Sequence, residues 1–161
     1  MSMKLKLKRC SNLFINESIC KKCGGKCCKY YPGTTLPKDF GTSKKEIFDN
    51  LVIAFKSQRW AIDWIDKNKN LYFVRPAIKG KEGSTFDHSL NGECTFLSEN
   101  GCLLSVDKRP SGCLLLEPLE QKTCIPHLSK LEASKQWQKF LDLLFEAAIE
   151  AEKIDENIWG E

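Results

Sequence analysis

Trp60-Ala61-Ile62-Asp63-Trp64, the polar run Asp66 to Asn70, and Leu71-Tyr72-Phe73-Val74-Arg75-Pro76 together form the stretch that decides the fold. Trp60, Ile62 and Trp64 alternate with Ala61 and Asp63, the period-two pattern of a strand. The second run is aromatic and β-branched, and the polar residues between the two supply a turn. The pattern predicts a β-hairpin. Pro76 cannot donate to a ladder, so it should end the second strand or occupy its edge.

Helical signals lie on both sides of the hairpin. Ser43 with Glu46 three positions later has the form of a capping box. Ile47, Leu51 and Phe55 follow at helical spacing, with Phe48 and Val52 beside them, which predicts a helix over about 43 to 58. Ser129 and Glu132 repeat the capping signature. Trp137, Phe140, Leu141, Leu144, Phe145 and Ala148 fall on one broad face, which predicts a long amphipathic C-terminal helix over about 130 to 153. Residues 79 to 92 are rich in Gly, Ser and Asp and read as a loop. Gly101, Pro110, Gly112 and Pro118 allow only short elements between 94 and 118. The expected architecture is a small, irregular α+β domain comprising the whole chain, 1–161. It has a central helix, a short hairpin and a long C-terminal helix.

A chain of 161 residues buries roughly 70% of the surface its unfolded form exposes, so its core needs no staples. Hydrophobic residues at 42% and charged residues at 29% are those of a globular domain. No apolar run approaches the roughly 18 residues of a membrane span. Lys4-Leu5-Lys6-Leu7-Lys8-Arg9 lacks the apolar centre of an export signal and reads as a first strand or a basic arm. The expected location is cytoplasmic, with no membrane partner. A net charge of +4, spread along the chain, argues against a nucleic-acid partner.

Nine cysteines are the unusual feature. In a reducing compartment dense cysteine points to metal or redox chemistry. One group is Cys20-Lys21-Lys22-Cys23-Gly24-Gly25-Lys26-Cys27-Cys28. The other comprises Cys94, Cys102, Cys113 and Cys124. The C-x-x-C spacing lets Cys20 and Cys23 reach one metal, and Gly24 and Gly25 permit close backbone approach. Lys21, Lys22 and Lys26 favour the thiolate form. Adjacent side chains diverge, so Cys27 and Cys28 fit two metals, or one site with a bystander, better than a single tetrahedral shell.

The candidate ligands are therefore Cys20, Cys23, Cys27, Cys28, Cys94, Cys102, Cys113 and Cys124. Eight thiolates suffice for two four-coordinate metals, or for a four-iron cluster with thiolates left over. Spacing alone leaves iron–sulfur and zinc both open. Cys10 reads as a small core residue. His127 is a further candidate ligand beside Cys124, while His88 reads as a solvated loop residue. Trp60, Trp64 and Trp137 read as core. Arg109-Pro110 reads either as a surface turn or as a guanidinium set near an anionic cluster.

The run Cys20-x2-Cys23-x3-Cys27-Cys28 resembles the opening motif of the YkgJ-like cysteine-cluster family of zinc- or iron-chelating domains. Cys94-Thr95-Phe96-Leu97, Gly101-Cys102, Arg109-Pro110-x2-Cys113 and Glu117-Pro118 follow in that family's order, and Tyr72 to Pro76 looks like one of its branches. The resemblance covers roughly residues 20 to 125. Leu114 stands where many members carry arginine. The resemblance implies two cysteine loops joined by metal. A similar cysteine pattern in flagellin lysine methylases tilts the expected cofactor toward an iron–sulfur cluster, with zinc as the alternative. The expected function is a metal-binding protein in electron transfer or in an accessory role to a protein partner. The alternatives are a cluster-dependent enzyme modifying a protein substrate, as in lysine methyl transfer, and a zinc module binding nucleic acid.

Overall fold

The computed structural model of the chain describes residues 29–114, 116–117, 125–126 and 128–153. The basic segment Lys4 to Arg9, Cys10, the first cysteine run, Pro118, Cys124 and His127 lie outside these residues.

The predicted hairpin is present. Strand β1 (Trp60–Asp66) pairs antiparallel with β2 (Leu71–Pro76), with Trp60 opposite Pro76 and Ile62 opposite Val74. A bulge between Trp64 and Asp66 shifts the register as the strand enters the turn. A single 3-10 turn, Lys67–Lys69, connects the strands. It is capped by the Asp66 side chain, which accepts from the Asn68 N–H, and is closed by Asn70 in the left-handed region at φ 57°. Asparagine tolerates that conformation better than most side chains.

Helix α1 (Lys44–Lys56) begins where the cap predicts, with Ser43 accepting from the Glu46 N–H. The reciprocal half of the box is displaced by one residue, because the Glu46 carboxylate takes the Thr42 N–H instead. Between Leu97 and Glu117 the elements are as short as the glycines and prolines require. They are β3 (Leu97–Ser98) paired with β4 (Gly101–Cys102), a 3-10 turn at Val106–Lys108, the four-residue helix α2 (Ser111–Leu114), and β5 (Leu116–Glu117). Strand β5 pairs with β6 (Ile125–Pro126).

The C-terminal helix is not continuous. Its complete Ser129–Glu132 capping box opens α3 (Lys130–Trp137), a 3-10 turn at Gln138–Phe140 follows, and α4 (Leu141–Glu152) completes it. Phe140 leaves helical geometry at φ −127°, ψ 19°. The break has a packing cause, since α3 lies on the hairpin while α4 lies on α1. One straight axis would not serve both partners.

These elements enclose one core. Ile47, Leu51 and Phe55 of α1 meet Leu144, Ala147 and Ala148 of α4, and Ala133 and Trp137 of α3 meet Ile62, Phe73 and Val74 of the hairpin. Trp137 is fully buried, and its indole N–H donates to the Thr35 carbonyl at 3.0 Å. Trp60 and Trp64 are only half-buried.

An isolated two-stranded hairpin is marginal in water. Here both of its edges are covered. Thr35 donates from its N–H and from its hydroxyl to the Val74 carbonyl on the β2 edge. On the β1 edge the Ile62 N–H donates to Thr85 and the Asp87 N–H donates to Ile62. Part of the predicted loop 79–92 thus acts as an edge strand.

Removing the Trp137 side chain leaves a cavity where α3, the hairpin and Thr35 meet. Trp137→Ala should cost about 3–5 kcal/mol, measured by urea unfolding. A loss below 1 kcal/mol would mean that α3 is not part of this core.

Candidate functional site

The alternation in β1 places Asp63 on the face opposite the tryptophans, and β2 places Arg75 on that same face. The register sets the two diagonally across the hairpin, within reach of long side chains. The face is closed over, so both are buried, and the Arg75 side chain is 0% exposed. All three of its guanidinium nitrogens donate. Nε meets Asp63 Oδ2 at 3.0 Å and the Tyr31 hydroxyl at 2.8 Å, and one terminal nitrogen meets the Pro76 carbonyl at 3.1 Å. The other meets Asp87 through its carboxylate at 2.7 Å and its carbonyl at 2.8 Å.

The Tyr31 hydroxyl in turn donates to Asp63 Oδ2. The second oxygen of Asp63 accepts the Trp64 N–H at 2.7 Å and His88 Nδ1 at 2.8 Å. Among the described residues no buried side-chain nitrogen or oxygen lacks a partner.

Burial on its own would raise the Asp63 pKa. The bonds from Tyr31, the Trp64 N–H and His88, with the Arg75 charge, outweigh it and hold the carboxyl below its ordinary range. Burial drives the Tyr31 phenol well above its usual value, so it stays protonated and donates. His88 is exposed in the loop, as its surroundings in sequence indicate, but it also has a fixed partner. Asp63 orients its ring, which stacks on Trp64 with centroids 4.9 Å apart. With Nδ1 bonded to a carboxylate, the arrangement fixes the tautomer and orientation of an imidazole that is 43% exposed.

Of the eight predicted ligands, Cys20, Cys23, Cys27, Cys28 and Cys124 lie outside the described residues. Cys94 is buried and bridges to Ile78, on the continuation of β2. Cys102 is half-buried in β4. Burial pushes the Cys94 thiol up to about 11; the Phe96 N–H opposes the rise and neighbouring Cys102 adds to it. The thiol is therefore protonated at neutral pH in the absence of a cation, which makes it a poor nucleophile.

Cys113 lies in α2, where its sulfur is pressed against Gly33 so closely that a Cβ there would overlap it. At the same crossing, a Cβ on Gly112 would come within 2.5 Å of the Thr34 backbone. Among the described residues no three His, Cys, Asp or Glu side chains converge as a group able to hold a metal. Cys102 lies close enough to Cys94 for its charge to raise the Cys94 pKa. Arg109 Nε donates to the Leu104 carbonyl at 3.0 Å.

The chain that emerges from the first cysteine run is held at two points along the second group, one just before it and one within it. The Tyr30 carbonyl accepts the Gly92 N–H at 2.6 Å, and the Thr34 carbonyl accepts the Gly112 N–H at 2.7 Å. Gly92 and Gly112 lie two residues before Cys94 and one before Cys113. No helix among the described residues is long and apolar enough to cross a membrane. No protein-family model matches the chain, and neither a curated protein nor a solved structure matches it significantly.

Because the folded Asp63 pKa lies below its unfolded value, its contribution is complete above the unfolded value, about 3.9. It is lost as pH falls through the folded pKa. Urea-unfolding free energies should therefore drop below about pH 4. Asp63→Asn should be weaker already at neutral pH, by on the order of 3 kcal/mol, with a flatter acid limb. An acid limb identical in the two proteins would exclude Asp63 as its source.

Proposed function

We propose that this chain holds metal through its clustered cysteines, as an iron–sulfur cluster or as zinc. Cys20, Cys23, Cys27, Cys28, Cys94, Cys102, Cys113 and Cys124 supply the ligands, and the metal joins the two cysteine loops. The role is electron transfer or service to a partner enzyme in the cytoplasm, where thiols stay reduced. On this reading the chain is a YkgJ-like cysteine-cluster domain.

The observation that carries the reading is the position of residues 30–35. Tyr30, two residues after Cys28, is hydrogen-bonded to Gly92, two residues before Cys94. Gly33 receives the sulfur of Cys113. Two residues of extended chain span at most about 7 Å, which limits how far Cys28 and Cys94 can each lie from their shared tie.

The donor set is chemically suited to either metal. It is all thiolate, the donor type that suits zinc and iron–sulfur clusters. A bound metal would supply positive charge to thiolates that otherwise repel one another, and would couple its own binding to folding. The chain's residues contribute the ligands, the close Gly33–Cys113 approach and the cations Lys79 and Arg75 near Cys94.

Anaerobic purification followed by a visible spectrum and analysis for iron, zinc and sulfide tests the reading. Iron and sulfide in similar amounts, or one to two zinc ions, is the expected result. Cys23→Ser and Cys94→Ser should lose metal and melt at lower temperature, while Cys10→Ser should keep both. A metal-free protein, or a Cys23→Ser variant with full metal content and unchanged melting temperature, would contradict the assignment.

A further inference from the structure

We propose that the Tyr31 hydroxyl is a latch that fixes the first cysteine run against the second, making Tyr31 a positioning residue for metal retention, an inference resting on the metal centre proposed above. Tyr31 is three residues from Cys28. Its hydroxyl joins Asp63 and Arg75, which are both fully buried. Two cations lie over its ring, with Lys130 Nζ 3.6 Å and the Arg75 guanidinium 5.2 Å from its centroid. Cations over an aromatic face add attraction, more where water is excluded.

The latch therefore ties the segment after the first cysteine run to the hairpin and to the start of α3. Strand β2, which carries Arg75, continues into Ala77 and Ile78, whose backbone holds Thr95 and Cys94. The chain three residues beyond Cys28 and the backbone at Cys94 are thus tied to the strand of one buried guanidinium. Oriented outer partners of this kind hold ligands in place without touching the metal.

Two substitutions separate latching from general stability, because each removes one hydrogen bond from Asp63. Tyr31→Phe keeps the ring and removes the tie to the cysteine run. His88→Ala removes the bond to the other oxygen of the same carboxylate and leaves that tie in place. Metal loss from the anaerobically purified full chain is timed with EDTA for zinc or bathophenanthroline for iron, alongside melting temperatures.

Tyr31→Phe should release metal roughly 10- to 100-fold faster than the wild type, the range seen when an outer-shell partner is removed. His88→Ala should track the wild type. Equal release from both variants, or wild-type release from Tyr31→Phe, would overturn the latch. If Tyr31→Phe does not fold, Lys130→Met, which loosens one face of the ring, should also speed release, and wild-type release there would overturn it.

A wild-type protein without metal would instead defeat the metal centre itself. The latch is then read from hydrogen exchange at the Thr35 and Gly92 amides. Faster exchange in Tyr31→Phe than in His88→Ala would support it, and equal exchange would overturn it.

Discussion

The rest of the structure depends on the buried guanidinium of Arg75. Removing a charge from water costs several kcal/mol, and the cost is recovered only where every donor finds an acceptor in good geometry. Here the acceptors come from four places along the chain: Tyr31 before the hairpin, Asp63 on the facing strand, Pro76 beside Arg75, and Asp87 in the covering loop. Loss of Asp63 or Asp87 would leave the guanidinium buried with one of its two carboxylate partners gone. The segments that carry Tyr31 and Asp87 are thereby fixed against the hairpin, and they cover both of its edges.

The same node orders the surroundings of the cysteines. Residues 30–35 lie between the hairpin edge, the indole of Trp137 and the crossing with α2. That crossing is possible because Gly33 and Gly112 carry no side chain where sulfur and backbone approach. Two glycines and one tyrosine thus settle how the chain leaves the first cysteine run. Leu51, Trp137 and Leu144 settle only that a core exists.

What was legible in the sequence was what neighbouring residues decide among themselves. The cap at Ser43, the apolar spacing of Ile47, Leu51 and Phe55, and the alternation around Ile62 gave a helix and a hairpin close to those observed. The break at Phe140 was not legible, because it follows from α3 and α4 packing on different partners. Nor was the burial of Asp63 and Arg75, whose partners come from remote segments; Tyr31 lies 44 positions from Arg75. One signal was available. An aspartate and an arginine placed on the same face of a predicted hairpin, each amid apolar residues, are poorly suited to solvent and well suited to each other. Of the cysteine site, three predicted ligands fall among the described residues. Cys94 and Cys102 interact electrostatically there, and a thiolate site drawing on distant loops is specified by chain tracing that no local pattern contains.

The most direct test of the metal centre is X-ray absorption at the edge of whichever metal the anaerobically purified protein carries. The account predicts a first shell of sulfur alone, at about 2.3 Å if the metal is zinc, and a second shell of iron if it is a cluster. A shell of oxygen and nitrogen would contradict it, because the metal would then be bound by residues other than the cysteines.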